Sequence, residues 1–383
     1  MSGYDGTRPL RVVVCGTTFG QVYLEGLHAA GPQVELTGVF ARGSDRSRRC
    51  AKHYGVPLLT DLREVAEVAD AACVVVRAGL LGGGGCELAQ ALMTEGVHVL
   101  QEHPLHHKEL AACLRTARAT GTVYHLNAFY PYVPVVRRFI AAARRMLELG
   151  PPVYIDAACG FQLAYSLLDI LGCALGSVRP WSFAAAPAEA AADRADIPFR
   201  ALEGVIGGVP LTLRIQNQMD PSDPDNHAHV DHRITIGTEV GNLTLHATHG
   251  PIVFAQRPRY PHDPRDAASE PHFDGEQHQE LPSATVLGDG AAPGFPAIFR
   301  TLWPPAVQHA VGDLRAAILA GGSDRRQAQH HLSVCLLWQD LSARLGAPEL
   351  LRRAVPAPLR AGDLEALAAA AAPRDAVTAE AVR

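Results

Sequence analysis

The sequence predicts a doubly wound α/β domain followed by an α+β domain built on an open, mostly antiparallel sheet. Three observations carry this. From Leu10 to about Thr122, short runs that are apolar at every position alternate with helix-like segments, the pattern of parallel strands covered on both faces. Beyond a helical stretch that ends near residue 152, longer strands with hairpin-like spacing take over, which suits a sheet with one face on helices. Finally, 383 residues with 48% hydrophobic and 19% charged side chains fill two moderate cores more naturally than one. The expected division is 1–128 for the first domain, 129–345 for the second and 346–383 for an Ala-rich tail.

In order, "LRVVVCG" (10–16) reads as the first strand and "FGQVYLEGLHAA" (19–30) as the helix after it. "VELTGVFAR" (34–42) is the second strand, and "DRSRRCAKHYG" (45–55) a helix that closes on glycine. "DAACVVVRA", "VHVLQE" and "TVYHLNAF" are buried-strand runs, separated by the helices "GCELAQALMTEG" and "HKELAACLRTARATG". A connecting helix is expected over 131–152, then strands at "VYIDAACG", "FRALEGVI", "VPLTLRIQNQM", "HRITIGTE", "GNLTLHATHG" and "PIVFAQR". The stretch from Pro258 to Pro296, dense in Pro, Asp, His and Gly, reads as an excursion.

Composition excludes several classes. A net charge of −5 and no Lys/Arg block leave no footprint for nucleic acid. "MSGYDGTRPL" lacks the charged and apolar regions of a signal peptide, and no run of about 18 apolar residues suggests a membrane span, so a cytoplasmic location is expected. The eight cysteines are dispersed without a Cys-x-x-Cys pair, which predicts packed, reduced thiols.

The stretch "VVVCGTTFGQ" (12–21) poses the functional question. In a Rossmann unit, glycines let the backbone turn tightly and approach a pyrophosphate at a helix N-terminus. With Gly20 as the third glycine of G-x-G-x-x-G, Cys15 and Thr17 occupy the other two positions. The pattern fails as a string and succeeds as a context: strand, turn, helix, then a second strand. Gly16, Thr17, Thr18 and Phe19 are therefore the expected cofactor loop. At the end of the second strand an acid would select NAD, and basic or hydroxyl groups a 2′-phosphate. Here Arg42, Ser44, Arg46, Ser47 and Arg48 crowd "FARGSDRSRR", so NADP(H) is expected, with Asp45 as the one dissenting charge.

The fifth-strand region, "GVHVLQEHPLHHKEL", resembles the E-K-P signature of Gfo/Idh/MocA dehydrogenases, with Glu102-His103-Pro104 in its place. In that family the lysine handles a proton while the nicotinamide moves a hydride. The resemblance puts Glu102 at the cofactor and His103 in the acid's position, and a histidine can serve because its pKa lies near neutrality. Further stretches, "CGTTFGQVYL", "NAFYPYVPVVRRF", "NQMDPSDPDNHAHVDHRITIGTEVGNLTLHATHGPIVF" and "LWPPAV", resemble the thiazolinyl imine reductases of siderophore assembly lines, over about Leu10 to Leu345.

That resemblance implies NADPH-dependent reduction of a thiazoline C=N bond on a substrate tethered to a carrier-protein domain of a nonribosomal peptide synthetase. It also implies a homodimer. Hydride goes to carbon and a proton to nitrogen, so a positioned general acid suffices without a metal. His103 and Tyr130 are the candidate acids, with Asn127, Asp169 and His229 on the substrate side. His227, His229 and His232 have ligand-like spacing, but on a strand His232 would face away from the other two. Two rivals remain: a sugar or polyol dehydrogenase of the same fold, disfavoured by His103 for lysine and Ser166 for histidine, and a non-catalytic NADP-binding scaffold.

Overall fold

The computed structural model describes residues 4–185, 197–223, 225–258, 281–322, 324–352, 354 and 356–371. The first sheet holds β1 (Leu10–Cys15), β2 (Val34–Phe40), β3 (Leu58–Leu59), β4 (Ala71–Val74), β5 (His98–Glu102) and β6 (Tyr124–Asn127). Its order is β3-β2-β1-β4-β5-β6, and all five pairings are parallel. The connections run through α1 (Gly20–His28), α2 (Asp45–Tyr54), α3 (Leu62–Val68), α4 (Gly85–Thr94) and α5 (His107–Thr120). Val12, Val13 and Val14 are fully buried, each stabilising the core by about 1.5–3 kcal/mol. The sequence reading lacks β3 and α3. The strand has two residues, too few to show a period, although the capping box of Asp61 and Glu64 marks the helix start.

From β6 the chain passes into α6 (Pro134–Leu149), β7 (Pro152–Gly160) and α7 (Ala164–Leu175). Then follow β8 (Trp181–Ala185), β9 (Phe199–Ile206), β10 (Val209–Gln216), β11 (Gln218–Met219), β12 (His232–Thr238), β13 (Gly241–Leu245), β14 (Ile252–Gln256) and β15 (Ala284–Leu287). The second sheet has the order β15-β14-β13-β12-β7-β10-β9-β8 and is antiparallel except where β10 pairs with β7. Along β10, buried and exposed residues alternate, so one face is open. Most of the Pro258 to Pro296 excursion, 259–280, lies outside the described residues.

The chain closes with α8 (Phe295–Ala297), α9 (Trp303–Leu319), α10 (Arg325–Leu345), β16 (Glu349–Leu350) and α11 (Ala361–Ala371). Helix α9 returns to the first domain. A Cβ on Gly26 of α1 would stand 2.7 Å from Val307 Cβ, and Gln308 Nε2 donates to Gly26 O at 3.1 Å. The second half of the chain thus braces the helix that follows the expected cofactor loop. Among the described residues no helix is long and apolar enough to cross a membrane, and all eight cysteines are free.

Candidate active site

The strand order reverses between β1 and β4, and ligands of doubly wound sheets bind outside the carboxyl ends at such a point. Gly16 stands there with φ +99°, where a Cβ would lie 2.5 Å from Val75 O. Only glycine fits at this position. The loop then enters α1, whose N-terminus follows it directly at this end of the sheet. Arg46 Nη1 donates to Thr18 Oγ1 at 3.2 Å, which brings the basic turn after β2 against this loop. Arg42, Ser44 and Arg46 are exposed, and Asp45 is paired with Arg48 at 2.9 Å. These features fit a dinucleotide with a phosphorylated ribose.

Ser47 needs correction. It has no exposed surface; its backbone N–H donates to Ser44 Oγ and its hydroxyl to Ser44 O. Ser44 caps α2, and Ser47, in its first turn, is spent on that cap. Phe19 is also turned to the interior side of the crevice, where its ring packs edge-on against Phe129 and Trp303 at 5.3 and 5.9 Å. Loop, β6 exit and α9 meet in this aromatic cluster.

At the end of β5, His103 Nδ1 lies 2.9 Å from Glu102 Oε1 and 3.2 Å from Asn127 O. Both partners accept, so Nδ1 carries a proton and Nε2 is the exchangeable position. The ring stacks on Tyr165 at 5.3 Å, and the His103–Pro104 peptide is cis. Glu102 accepts from the Tyr23 hydroxyl through its other oxygen. Its carboxylate therefore holds His103 in place. Burial first, then Glu102, pushes the Tyr23 phenol well up, so Tyr23 stays a donor.

Asn127 is corrected in the same way. It is fully buried; its Nδ2 donates to Tyr23 at 2.5 Å and its Oδ1 accepts from Phe129 N at 2.9 Å. Both ends of the amide are thus engaged inside the protein. Phe129 sits at φ 59° and ψ −63°, with Tyr130 N donating to Ala128 O at 2.7 Å. This is a γ-turn, strained for a side chain as bulky as phenylalanine. The turn delivers Tyr130 to the carboxyl edge of β6, edge-on to His232 at 4.7 Å. Among the described residues the Tyr130 hydroxyl has no hydrogen-bond partner, and burial, then nearby carboxylates, push its pKa up. It keeps its proton throughout the physiological range.

His232 belongs to this centre, a place that its ligand-like spacing from His227 and His229 does not reveal. It is fully buried, with Nε2 2.8 Å from Ser166 Oγ and Nδ1 2.9 Å from Thr248 Oγ1. Ser166 donates onward to Leu163 O, so His232 donates through Nε2 and accepts at Nδ1. Burial drives its pKa down to about 3, and it stays neutral beneath Tyr130. The strand reading of 227–232 is corrected too. Asp225–His227 is a 3₁₀ turn, and His229 is an exposed residue ahead of β12 whose ring lies 6.1 Å from Phe199. His229 does not join the residues around His103.

Asp169 is engaged from α10, and the charge of His103 reaches it as well. It is buried, with Oδ1 2.5 Å from His330 Nε2 on α10. Burial raises its pKa, but the His330 hydrogen bond and the charges of His331 and His330 outweigh this and leave it lowered.

Residues 10–128 match the model of the oxidoreductase family with an NAD-binding Rossmann fold, Gfo/Idh/MocA. Residues 151–255 match that of the C-terminal domain of thiazolinyl imine reductase, Irp3-like. The first domain is thus similar to the Gfo/Idh/MocA oxidoreductases, and the second to the Irp3-like C-terminal domain. No curated protein matches it by sequence. Solved structures share the fold. The 3-ketoreductase KijD10 from Actinomadura kijaniata, solved with NADP, is 17% identical with a TM-score of 0.59, over 90% of this chain and 100% of that one. UDP-N-acetylglucosamine 3-dehydrogenase GnnA from Acidithiobacillus ferrooxidans is 16% identical with a TM-score of 0.59, over 88% and 98%. An oxidoreductase from Agrobacterium radiobacter, in complex with NAD+, L-tartaric acid and magnesium, is 12% identical with a TM-score of 0.61, over 86% and 94%.

Proposed function

We propose that this oxidoreductase uses NADPH to reduce the C=N bond of a thiazoline to a thiazolidine, on a substrate tethered to a carrier-protein domain of a nonribosomal peptide synthetase. The match of residues 151–255 to the thiazolinyl imine reductase domain carries the reading. The nicotinamide, when bound, supplies the hydride. The chain's own task is the proton at nitrogen, and two groups are placed for it. Tyr130 presents an unpartnered, protonated hydroxyl. His103, with Nδ1–H fixed by Glu102 and Asn127 O, delivers a proton from Nε2 when it is an imidazolium. The aromatic cluster of Phe19, Phe129 and Trp303 keeps water from that side of the crevice, which strengthens each polar contact inside. The buried hydroxyl of Ser166, spent on Leu163 and His232, takes no part in polyol oxidation.

The test follows NADPH absorbance with a thiazolinyl carrier-protein substrate. Wild type should turn over, and His103→Ala and Tyr130→Phe should each lose about 10²-fold or more in kcat. Absence of turnover with every thiazoline, or full rate in both variants, sinks the assignment; turnover of a nucleotide sugar instead selects the sugar reading. For the cofactor, Arg46→Ala should raise the KM for NADPH by about 10- to 100-fold, the value of one charge-assisted contact, and leave NADH unchanged. An unchanged preference removes Arg46 from the phosphate site.

A further inference from the structure

A cavity of about 610 Å³ lies among α6, α7, α9 and α10. The proton transfer proposed for His103 and Tyr130 assigns no role to the groups on the cavity's α7 and α10 walls. Asp169, Cys173, His330 and His331 all line it. Asp169 and Cys173 are one turn apart on α7 and share a face; His330 and His331 come from α10.

The ligand atoms of Asp169, His330 and His331 lie within 4.8 Å of one another. His330 Nε2 is 2.5 Å from Asp169 Oδ1 and 3.9 Å from Cys173 Sγ. His331 Nδ1 is 3.9 Å from Asp169 Oδ1. It is buried without a hydrogen-bond partner, in a residue only 7% exposed. A buried ring nitrogen left unpartnered costs about 1–3 kcal/mol, so a group that satisfies it would be gained cheaply.

We propose that Asp169, Cys173, His330 and His331 form a transition-metal site, zinc the expected ion, that clamps α7 to α10. Zinc takes nitrogen and oxygen at about 2.0–2.2 Å and sulfur at about 2.3 Å in a tetrahedron, whose edges are then about 3.3–3.6 Å. Of the three separations, two are a few tenths of an ångström longer than such an edge. The third, His330 to Asp169, is shorter and opens as an ion enters between the two groups. Cys173 Sγ lies outside the 4.8 Å group of the other three ligand atoms and has to swing in from its contact with His330. Arg137, Arg138 and Arg144 also line the cavity, and their charge opposes a bare dication. Asp313 lines it too and offsets part of that charge; the Asp169 carboxylate and a Cys173 thiolate balance the ion's own charge, the thiol proton leaving to solvent as the metal–sulfur bond forms. The clamp bears on the reacting centre, because Tyr165, which stacks on His103, and Ser166, which holds His232, stand on the same helix.

The experiment uses the full untagged chain, stripped with chelator and titrated with zinc or cobalt(II) alone. One ion per chain is expected, with a zinc-dependent rise in Tm and, for cobalt, a sulfur-to-metal charge-transfer band. Cys173→Ser should abolish that band. His330→Ala and His331→Ala should weaken binding by more than the roughly 10- to 100-fold typical of an outer partner. If either alanine variant fails to fold by circular dichroism, the glutamine variant takes its place. No bound metal, a persisting charge-transfer band in Cys173→Ser, or unchanged affinity in the His330 and His331 variants overturns the proposal and leaves Asp169–His330 as an ion pair. Thiazoline turnover without metal bears on the previous section only, so the two readings fail separately.

Discussion

At the scale of single residues, the reacting group is legible where its chemistry is contiguous. Glu102-His103-Pro104 stands at a strand end, and the structure adds what the order of residues does not carry: the carboxylate of Glu102 turns back onto His103 while Tyr23 holds its other oxygen. Asn127, Asp169 and Ser47 each meet partners inside the protein that the order of residues does not carry. A strand or helix period tells which face a side chain occupies, not which distant element meets it. The partner of Asp169, His330, lies 161 positions away. If Glu102 serves His103, Glu102→Gln keeps an acceptor for Tyr23 but loses the anion that orients the imidazole. We expect kcat to fall by about 10- to 100-fold, part of the value of a general acid, with the KM for NADPH unchanged. A rise in that KM at constant kcat would return Glu102 to the cofactor.

At the scale of elements, the parallel strands were readable because each is apolar on both faces, as in the fully buried β4 and β6. The turn after β6 was not. "NAF" carries no glycine, yet Phe129 takes a positive φ that costs on the order of 1–3 kcal/mol and is held by an internal bond from Asn127 and by the rings of Phe19 and Trp303. Packing that decides against local preference leaves no local signature. Asn127→Ala would strip the acceptor from the Phe129 N–H inside the protein. The expected loss is about 1–3 kcal/mol, roughly 2–12 °C in Tm, with kcat falling more than KM as Tyr130 loses its seat. Unchanged Tm and kcat together would show that the aromatic cluster alone sets the turn.

At the scale of the whole molecule, buried imidazoles make stability depend on pH. Burial pushes His125 down to about 4, His249 to about 4 and His232 to about 3. They sit in three different places: His125 on β6 facing Asp313 and Asp324, His249 against Trp303, and His232 beneath Tyr130, with His249 and His103 nearby. In the unfolded chain each titrates near 6.5. Above that value both states are neutral, and the three contribute nothing to the pH dependence. As pH falls below it, the unfolded chain takes up protons that the folded one refuses, so stability falls by up to about 4 kcal/mol per pH unit until the folded values are reached. His330, raised by Asp169 against its own burial, and Asp225 and Asp231, raised by burial, work in the opposite sense and offset part of the loss. Asp70, held low by Arg8 and Arg11 despite burial, keeps its contribution until pH drops below the ordinary carboxylate range, outside this window. A domain stable by about 5–15 kcal/mol should then unfold between pH 6 and 4 (about two units of that slope). Denaturant titrations at pH 7.5, 6 and 5 measure the loss directly. His125→Leu tests its origin, because both ring nitrogens of His125 are buried without partners. The variant should match or exceed wild type at pH 7.5 and lose stability less steeply below pH 6.5. Stability that stays level from pH 7.5 to 5, or an equal slope in His125→Leu, would show that these imidazoles gain protons without unfolding the chain.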